Sequence, residues 1–500
     1  MKNIFSYITL LVTFISIGQN MFLDPTFGNN GTLIDASINA APINIYFENN
    51  NYFLINYSNS IACLNYDGSK NVNFANNGIL FFNGANETFL TKGSKYWNGF
   101  FYIFGQVVYG SSSSSKDFFI VKISLAGILD ASFGSNGVVK QDFGGDEVLN
   151  DILILDDEKI IGVGSKYISS SKLFVTKYNA NGTIDTNFDI SGYKILTANS
   201  NESSYGSNLF NFENNLLVVG KSSFSLGQNL VLIKMDSNGN YITTFGTNGV
   251  KQFQLASQSS TASYSVFNTS LINGNDLYFG LHFAASFSTQ DKTLKKYDIN
   301  NNTMISIGSL PFSYPFYVLD SNQKIYITGT ERCSPNTASN CSRNFNLYRR
   351  NISGIVDTSF NTNGSFSYNF FPSDLISDDM SSAVYLHSDG KIFMAGVGYN
   401  PFSTNGTGLE MLRLTQTPLS VVENQNSKPE ITNPVSNELI IENLNDRIIK
   451  EIKIYNLLGK EVFATKENIS RINVSFLQEG IYLAKINIDE LDYSVKIFKK

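Results

Sequence analysis

Cysteine and histidine, the usual nucleophiles, bases and metal ligands, are rare in this 500-residue sequence. There are three cysteines and two histidines, His282 and His387. A zinc or iron site needs more nitrogen and sulfur ligands close together than these supply, because the two histidines lie in different segments of the chain. Neither a phosphate-binding glycine loop nor a nucleophile elbow is present. We therefore predict no metal site, no cofactor and no identifiable catalytic residue.

Acidic residues are plentiful, but no spacing singles out a catalytic carboxylate pair. Turns of the Asp-x-Asn type, such as residues 298–302, carry oxygen ligands that suit calcium. In a chain so rich in asparagine, ordinary Asx turns explain them better.

The cysteines are too sparse for a disulfide scaffold. Cys333 and Cys341 flank a polar loop segment, so we predict that an oxidising compartment joins them. Cys63 lies in an apolar strand segment, and we expect it to be a buried free thiol.

A basic residue recurs at one place along the chain, at Lys122, Lys177, Lys234, Lys296, Arg349 and Arg413. These six residues can form a basic ring that attracts an anionic glycan. Alternatively, each pairs with a nearby carboxylate, such as Lys122 with Asp130 and Lys177 with Asp185. We favour the local pairs. The formal net charge of −6 argues against nucleic acid as a partner.

These cations belong to a repeat whose clearest copy is Leu-Asp-Ala-Ser-Phe-Gly-Ser-Asn-Gly at residues 129–137. Successive aromatic positions (27, 74, 133, 188, 245, 307 and 360, with Ile307 replacing Phe) are 47, 59, 55, 57, 62 and 53 residues apart. The period is thus about 57 residues, which indicates an array of one repeated unit. The motif residues, which we expect to be structural, are Asp24, Phe27, Phe74, Asp130, Phe133, Asp185, Phe188, Phe245, Asp357 and Phe360.

Each period contains four short segments rich in β-branched and aromatic residues, bounded by Gly, Asn, Asp and Ser. We place seven such sets, beginning near residues 31, 78, 137, 192, 249, 307 and 364, with the segment after each motif as the first strand. Four-stranded units of this size typically close into a β-propeller. The fold class predicted for residues 19–416 is therefore an all-β, seven-bladed β-propeller.

The recurring motif, with Asp-Gly-Lys-Ile upstream, resembles the delta-60 repeat of secreted bacterial proteins. The resemblance implies a β-propeller and brings no established activity. The copies near residues 66–78 and 298–310 depart from the motif, so the blade boundaries there are not defined by it.

The last repeat has no copy of the motif after its final strand. A copy without a strand before it lies at residues 22–28, near the start of the repeat region. We therefore predict that the N-terminal segment completes the seventh blade. Phe27 would then be buried near Leu412 or Leu414, with Arg413 close to Asp24.

Residues 1–18 have the features of a secretory signal peptide, with a positive start and an apolar run. We predict cleavage between Gly18 and Gln19. The run is shorter than the roughly 20 residues of a membrane span, so we predict no transmembrane anchor.

Residues 417–430 are polar and read as a linker. Residues 431–500 contain alternating segments that predict a small β-sandwich. The order of Asn433-Pro434, Gly459, Gly480 and the final Lys499-Lys500 resembles the C-terminal sorting domain of type IX secretion. This implies export across the outer membrane of a Gram-negative bacterium by the type IX machinery, followed by release or surface attachment.

Two functions fit these features. We favour a binding module for an extracellular glycan or protein, and the alternative is an exported polymer-degrading enzyme with its site at the channel mouth. A funnel with converging carboxylates would favour the enzyme, and a face of tyrosine, phenylalanine and asparagine would favour binding.

Overall fold

The computed structural model describes residues 20–416 and 430–500, apart from 39, 58, 83, 85, 111–115, 190, 197–202, 225–226, 258–262, 285–289, 311, 332–342, 372–378, 400–406, 443, 445–446, 458 and 490. Two compact units divide between residues 417 and 418, and each is described by itself. The described residues form strands and one helical turn, α1 (Asn361–Gly364). The predicted all-β class is confirmed.

The first unit contains seven antiparallel sheets among its described residues. It starts with two short strands, β1 (Met21–Leu23) and β2 (Thr32–Asp35), which join the last sheet. The first three sheets each use four consecutive strands. The first sheet contains β3 (Pro42–Glu48), β4 (Asn51–Asn56), β5 (Ser60–Asn65) and β6 (Ile79–Phe81), and the second contains β7 (Glu87–Trp97), β8 (Phe100–Tyr109), β9 (Lys116–Ser124) and β10 (Val138–Gln141). The third contains β11 (Asp146–Ile154), β12 (Ile160–Tyr167), β13 (Ser171–Tyr178) and β14 (Tyr193–Leu196).

The next three sheets have the same order. Their strands are β15 (Ser203–Phe212), β16 (Asn215–Phe224), β17 (Gly227–Met235) and β18 (Val250–Ser257); β19 (Ser263–Asn273), β20 (Asp276–Ala284), β21 (Gln290–Asp298) and β22 (Thr303–Ser309); and β23 (Phe312–Leu319), β24 (Lys324–Glu331), β25 (Phe345–Asn351) and β26 (Ser365–Tyr368). The seventh sheet contains β27 (Met380–Leu386), β28 (Ile392–Tyr399) and β29 (Thr407–Gln416) with β1 and β2.

The middle strands are buried on both faces, which explains their continuous apolar runs. In β9, every residue from Asp117 to Ile123 is buried. A strand covered on both sides loses the alternation typical of a half-exposed strand. Hydrophobic clusters formed by the buried faces join each sheet to the next along the chain. A further cluster joins the last sheet to the first, with Phe393 and Leu409 packed among Tyr52 and Leu64.

Where the motif phenylalanine is kept, the segment after it is an outer strand of the preceding sheet, so the predicted position as the first strand of a new set was wrong. In the second sheet, β10 pairs with β9 through Val138 and Val121. The cause is the motif turn, where Gly134, Asn136 and Gly137 have positive φ and reverse the chain onto β9.

The N-terminal strands pair with the last strand, as predicted. Leu23 is opposite Leu414 and Thr32 is opposite Leu412. Phe27 is buried as expected, but it packs on Phe393 at 4.7 Å between ring centroids and belongs to the cluster of Leu409 and Met411. Leu412 and Leu414 belong to a different cluster, because alternate residues of β29 point to opposite faces.

The second unit packs two sheets around one hydrophobic cluster. One sheet contains β30 (Glu430–Ile431), β31 (Glu438–Glu442) and β34 (Arg471–Asn473). The other contains β32 (Ile449–Asn456), β33 (Glu461–Thr465), β35 (Gly480–Ile488) and β36 (Leu491–Lys499). Ile452, Ile454 and Ile486 lie at the centre of the cluster and are fully buried.

Candidate functional site

A groove of about 890 Å³ is lined by the first strands of the first, sixth and seventh sheets. We call it the inner-strand groove, and its walls come mainly from β3, β23 and β27 and the turns after β23 and β27, with further residues from β24, β25, β28 and β29. Its parts are far apart in sequence and meet because the seventh sheet packs against the first.

Aromatic side chains supply much of the lining, including Tyr46, Tyr317, Tyr326 and Tyr385. The Tyr46 hydroxyl donates a hydrogen bond to the Ser94 carbonyl at 2.8 Å. The Tyr317 hydroxyl is buried and has no hydrogen-bond partner among the described residues, and burial raises its pKa well above the ordinary value.

Asp320 is the one carboxylate among the described residues that line this groove. Its Oδ1 already accepts hydrogen bonds from the amides of Asn322 at 2.9 Å and Lys324 at 2.8 Å, so it is committed to the turn. The converging carboxylates that a glycosidase-type mechanism requires are therefore not found in the described lining.

His387 also lines the groove, with its ring against Phe47 at 4.4 Å between centroids. Its Nδ1 lies 2.7 Å from Oδ1 of Asp389, and the other oxygen of Asp389 accepts a hydrogen bond from Tyr66 at 2.7 Å. These contacts orient the imidazole at the edge of the groove.

The six recurring cations make local contacts, and all but Lys296 are buried. Three of them pair with the motif carboxylate of their own repeat: Lys122 with Asp130 at 2.8 Å, Arg349 with Asp357 at 2.9 Å, and Arg413 with Asp24 at 2.8 Å. The contacts favour local pairing over a basic ring that faces solvent.

Lys177 differs from the predicted pairing. Its Nζ donates to the carbonyl of Ser237 at 2.8 Å, and Asp185 is paired at 2.9 Å with Lys159, just before β12. Equivalent lysines reach the motif carboxylate elsewhere, at 2.9 Å from Lys324 to Asp357 and 3.0 Å from Lys391 to Asp24. The sequence analysis did not predict this second cation. The recurring lysine at the start of the second strand of a sheet could have indicated it.

Two of the three repeats that lack the motif aspartate find a carboxylate elsewhere. Lys234 pairs with Glu213, in the hairpin before β16. Lys296 pairs at 2.5 Å with Asp276, which occupies the place where other repeats carry the opening lysine. A buried cation needs a nearby anion, so loss of one carboxylate is offset by another.

The first repeat contains a neutral version of the same unit. The amide of Asn71 donates to the Cys63 carbonyl at 3.0 Å, as the amide of Asp357 does to the carbonyl of Arg349. Cys63 thus replaces the cation and Asn71 the carboxylate. Burial raises the pKa of Cys63 to about 12, although a hydrogen bond with Asn71 opposes the shift. The expected buried free thiol is confirmed.

The predicted signal peptide with its Gly18–Gln19 cleavage site, the Cys333–Cys341 disulfide and all but the last residue of the 417–430 linker lie outside the described residues. They stay predictions. Within the described part of the chain, no helix has the length and apolar character needed to cross a membrane.

In the second unit, the sorting motif is fastened to the last strand. The Asn433 side chain donates to the Lys496 carbonyl at 2.8 Å and accepts from the Phe498 amide at 2.9 Å. The amide of Lys500 donates to the Val435 carbonyl at 2.9 Å, next to Pro434. Gly459 has a φ of +76° in the turn between β32 and β33, and Gly480 opens β35 opposite Lys499.

Residues 432–500 match the family model described as a secretion system C-terminal sorting domain. The chain thus ends in a sorting tail of type IX secretion, which implies recognition by that machinery and delivery to the cell surface or outside in Bacteroidetes. A search of curated protein sequences finds no match.

Several solved structures are similar at low identity. A protein of unknown function from Dyadobacter fermentans has 10% identity and a TM-score of 0.38, covering 64% of this chain and 92% of its own. An ulvan lyase, a polysaccharide lyase, has 10% identity and a TM-score of 0.34, covering 61% and 79%. PorZ, a surface component of type IX secretion in Porphyromonas gingivalis, has 9% identity and a TM-score of 0.18, covering 94% and 100%.

Proposed function

We propose that this chain is a binding protein delivered by type IX secretion, whose first unit is a seven-bladed β-propeller of delta-60-like repeats. The ring is supported by the seven hydrophobic clusters, each of which joins two successive sheets. The cluster of Tyr52, Phe393 and Leu409 connects the last sheet to the first. The pairing of β1 and β2 with β29 gives the seventh sheet its outer strands.

The inner-strand groove is the binding site in this proposal, and its lining of tyrosines carries it. Tyrosine combines a rigid apolar surface with a polar hydroxyl, which suits both the faces of sugar rings and protein side chains. Asn44, Asn322 and Lys391 add polar groups to the same lining. The ligand class is an extracellular carbohydrate or a protein.

An exported polymer-degrading enzyme is the alternative, with its site in the same groove. His387 and Asp389 are placed for proton transfer, since Nδ1 and Oδ1 are 2.7 Å apart. No carboxylate pair accompanies them among the described lining residues, so binding fits the groove better.

The experiment is a glycan-array and pull-down screen with the exported protein, followed by product analysis of every polymer that binds. Retention of an intact glycan or protein supports the binding proposal. Release of shortened or unsaturated oligosaccharides would support the enzyme, and a loss of that release in a His387→Ala variant would place the activity in the groove.

A further inference from the structure

Three carboxylates converge where the second sheet meets the third, far along the chain from the residues of the groove. Asp117 lies in β9, Asp142 follows β10, and Glu147 is in β11. One oxygen from each lies within 4.8 Å of the others. Asp117 and Glu147 are buried, and Asp142 is exposed.

Glu147 is 1% exposed. Neither of its carboxylate oxygens accepts a hydrogen bond of normal distance and angle from the described residues. The Phe143 amide is close enough to lower its pKa, but burial dominates and raises that pKa to about 7. A buried carboxylate without partners is costly unless a cation or donor arrives.

The neighbouring carboxylates are held so that an oxygen remains free. Asp117 Oδ2 accepts a hydrogen bond from the Tyr109 hydroxyl at 2.8 Å, and its Oδ1 is buried without a partner. Asp142 Oδ1 accepts from the Gly144 amide at 2.5 Å. The free oxygens of all three residues are hard ligands of one type.

The nearby lysines do not fill this position. Lys166 donates to the Phe143 carbonyl and lies 5.3 Å from the centre of the Tyr193 ring. Lys140 is paired with Glu87 at 2.6 Å. Lys116 lies 3.8 Å from Asp146, a fourth carboxylate at the start of β11. Lys92 lines the same cleft as Glu147, and four carboxylates against Lys92, Lys116 and Lys166 leave the formal local charge negative.

We propose that Asp117, Asp142 and Glu147 bind a divalent cation of the calcium class. Calcium takes oxygen ligands at about 2.3–2.6 Å, so two ligands on one ion lie up to about 5 Å apart. The observed separations fit this limit. The ion would be ligated by the second sheet through Asp117 and by the third through Glu147, and would thus brace the boundary between them.

The test is calcium titration of the full exported chain after chelation, by calorimetry and by sensitised terbium luminescence. Wild type should bind one ion more than the Glu147→Gln and Asp142→Asn variants, and calcium should raise the Tm of wild type but not of these two variants. Asp142→Asn changes an exposed residue, so it tests the site even if Glu147→Gln does not fold. Asp298→Asn, in an exposed Asx turn, is the matched control and should bind like wild type.

Equal calcium binding by wild type and both site variants would overturn the proposal. Loss of an ion in Asp298→Asn alone would also overturn it, because the ion would then belong to the Asx turn. Magnesium titration is the second arm, and magnesium that displaces terbium more effectively than calcium does would contradict the calcium class.

Discussion

Arg413 and Asp24 are 389 residues apart in sequence, yet Nε of the arginine lies 2.8 Å from Oδ2 of the aspartate in a buried site. The arginine is fully buried and also donates to Thr26 at 2.7 Å and to the Tyr66 carbonyl. The pair fastens the start of the repeat region to its last strand.

Removing one partner of this pair should strongly destabilise the first unit. Arg413→Met leaves Asp24 with less compensation, and we expect a loss of about 3–5 kcal/mol in the free energy of unfolding. The matched control is Arg471→Met, because the Arg471–Glu438 pair is exposed and should contribute less than about 1 kcal/mol. Chemical denaturation measures both, and similar small losses would contradict the buried pair.

We expect that an engineered disulfide can join the two ends of the first unit. Phe22 is opposite Thr415 in the β1–β29 ladder, and paired Cα atoms of antiparallel strands lie about 5.5 Å or less apart, within disulfide range. The variant with cysteine at both positions should oxidise and resist unfolding more than its reduced form. The control carries cysteine at Phe22 and at exposed Ile355, which is not paired with it, and should stay reduced. Mass spectrometry of unreduced protein distinguishes the two.

Acid should weaken the first unit through its motif aspartates. Burial alone would raise the pKa of Asp24, but hydrogen bonds from Thr26 and Lys391 and the Arg413 charge lower it to about 2. The folded state therefore binds fewer protons than the unfolded state, and the stabilisation is complete above pH 4 or so and is lost as the pH falls toward 2. Asp357, also with a pKa of about 2, behaves alike.

Denaturation at a series of pH values checks this. The Asp24→Asn variant should show a shallower fall in stability between about pH 4 and pH 2 than wild type. Identical slopes would show that Asp24 does not carry the effect.

The repeat could be predicted from the sequence because its motif residues are close together in the chain. Asp130 is eight residues from Lys122, and their pairing followed from spacing alone. The same spacing predicted a pair of Lys177 and Asp185, but Asp185 pairs with Lys159, which lies just before β12 and reaches the carboxylate only after the sheet forms. The outer-strand position of the segment after each motif depends on how far the Gly134–Gly137 turn reverses the chain.

The groove and the acidic cluster could not be predicted from the sequence, because each is formed by residues that are distant in the chain. Tyr46 and Tyr317 come together because the first and sixth sheets both flank the seventh, and their separation in the chain gives no hint of it. Asp117 and Glu147 belong to neighbouring repeats and carry no shared motif.

Export should depend on the second unit. Deleting residues 431–500 should leave a folded protein in the periplasm, because the sorting domain is what the type IX machinery recognises. Fusing the same residues to a periplasmic reporter is the reciprocal control and should carry it to the surface. Cell fractionation with surface protease treatment reads both out, and surface delivery of the truncated chain would refute the role.

The most direct measurement of the central claim is the affinity of the exported protein for a ligand from the screen, compared with Tyr385→Phe and Tyr57→Phe. Both substitutions remove one hydroxyl, but Tyr57 is exposed outside the groove. Titration calorimetry should show a 2- to 12-fold weaker affinity for Tyr385→Phe, equivalent to a hydrogen bond of about 0.5–1.5 kcal/mol, and no change for Tyr57→Phe. Equal affinities for all three proteins would contradict binding in the inner-strand groove.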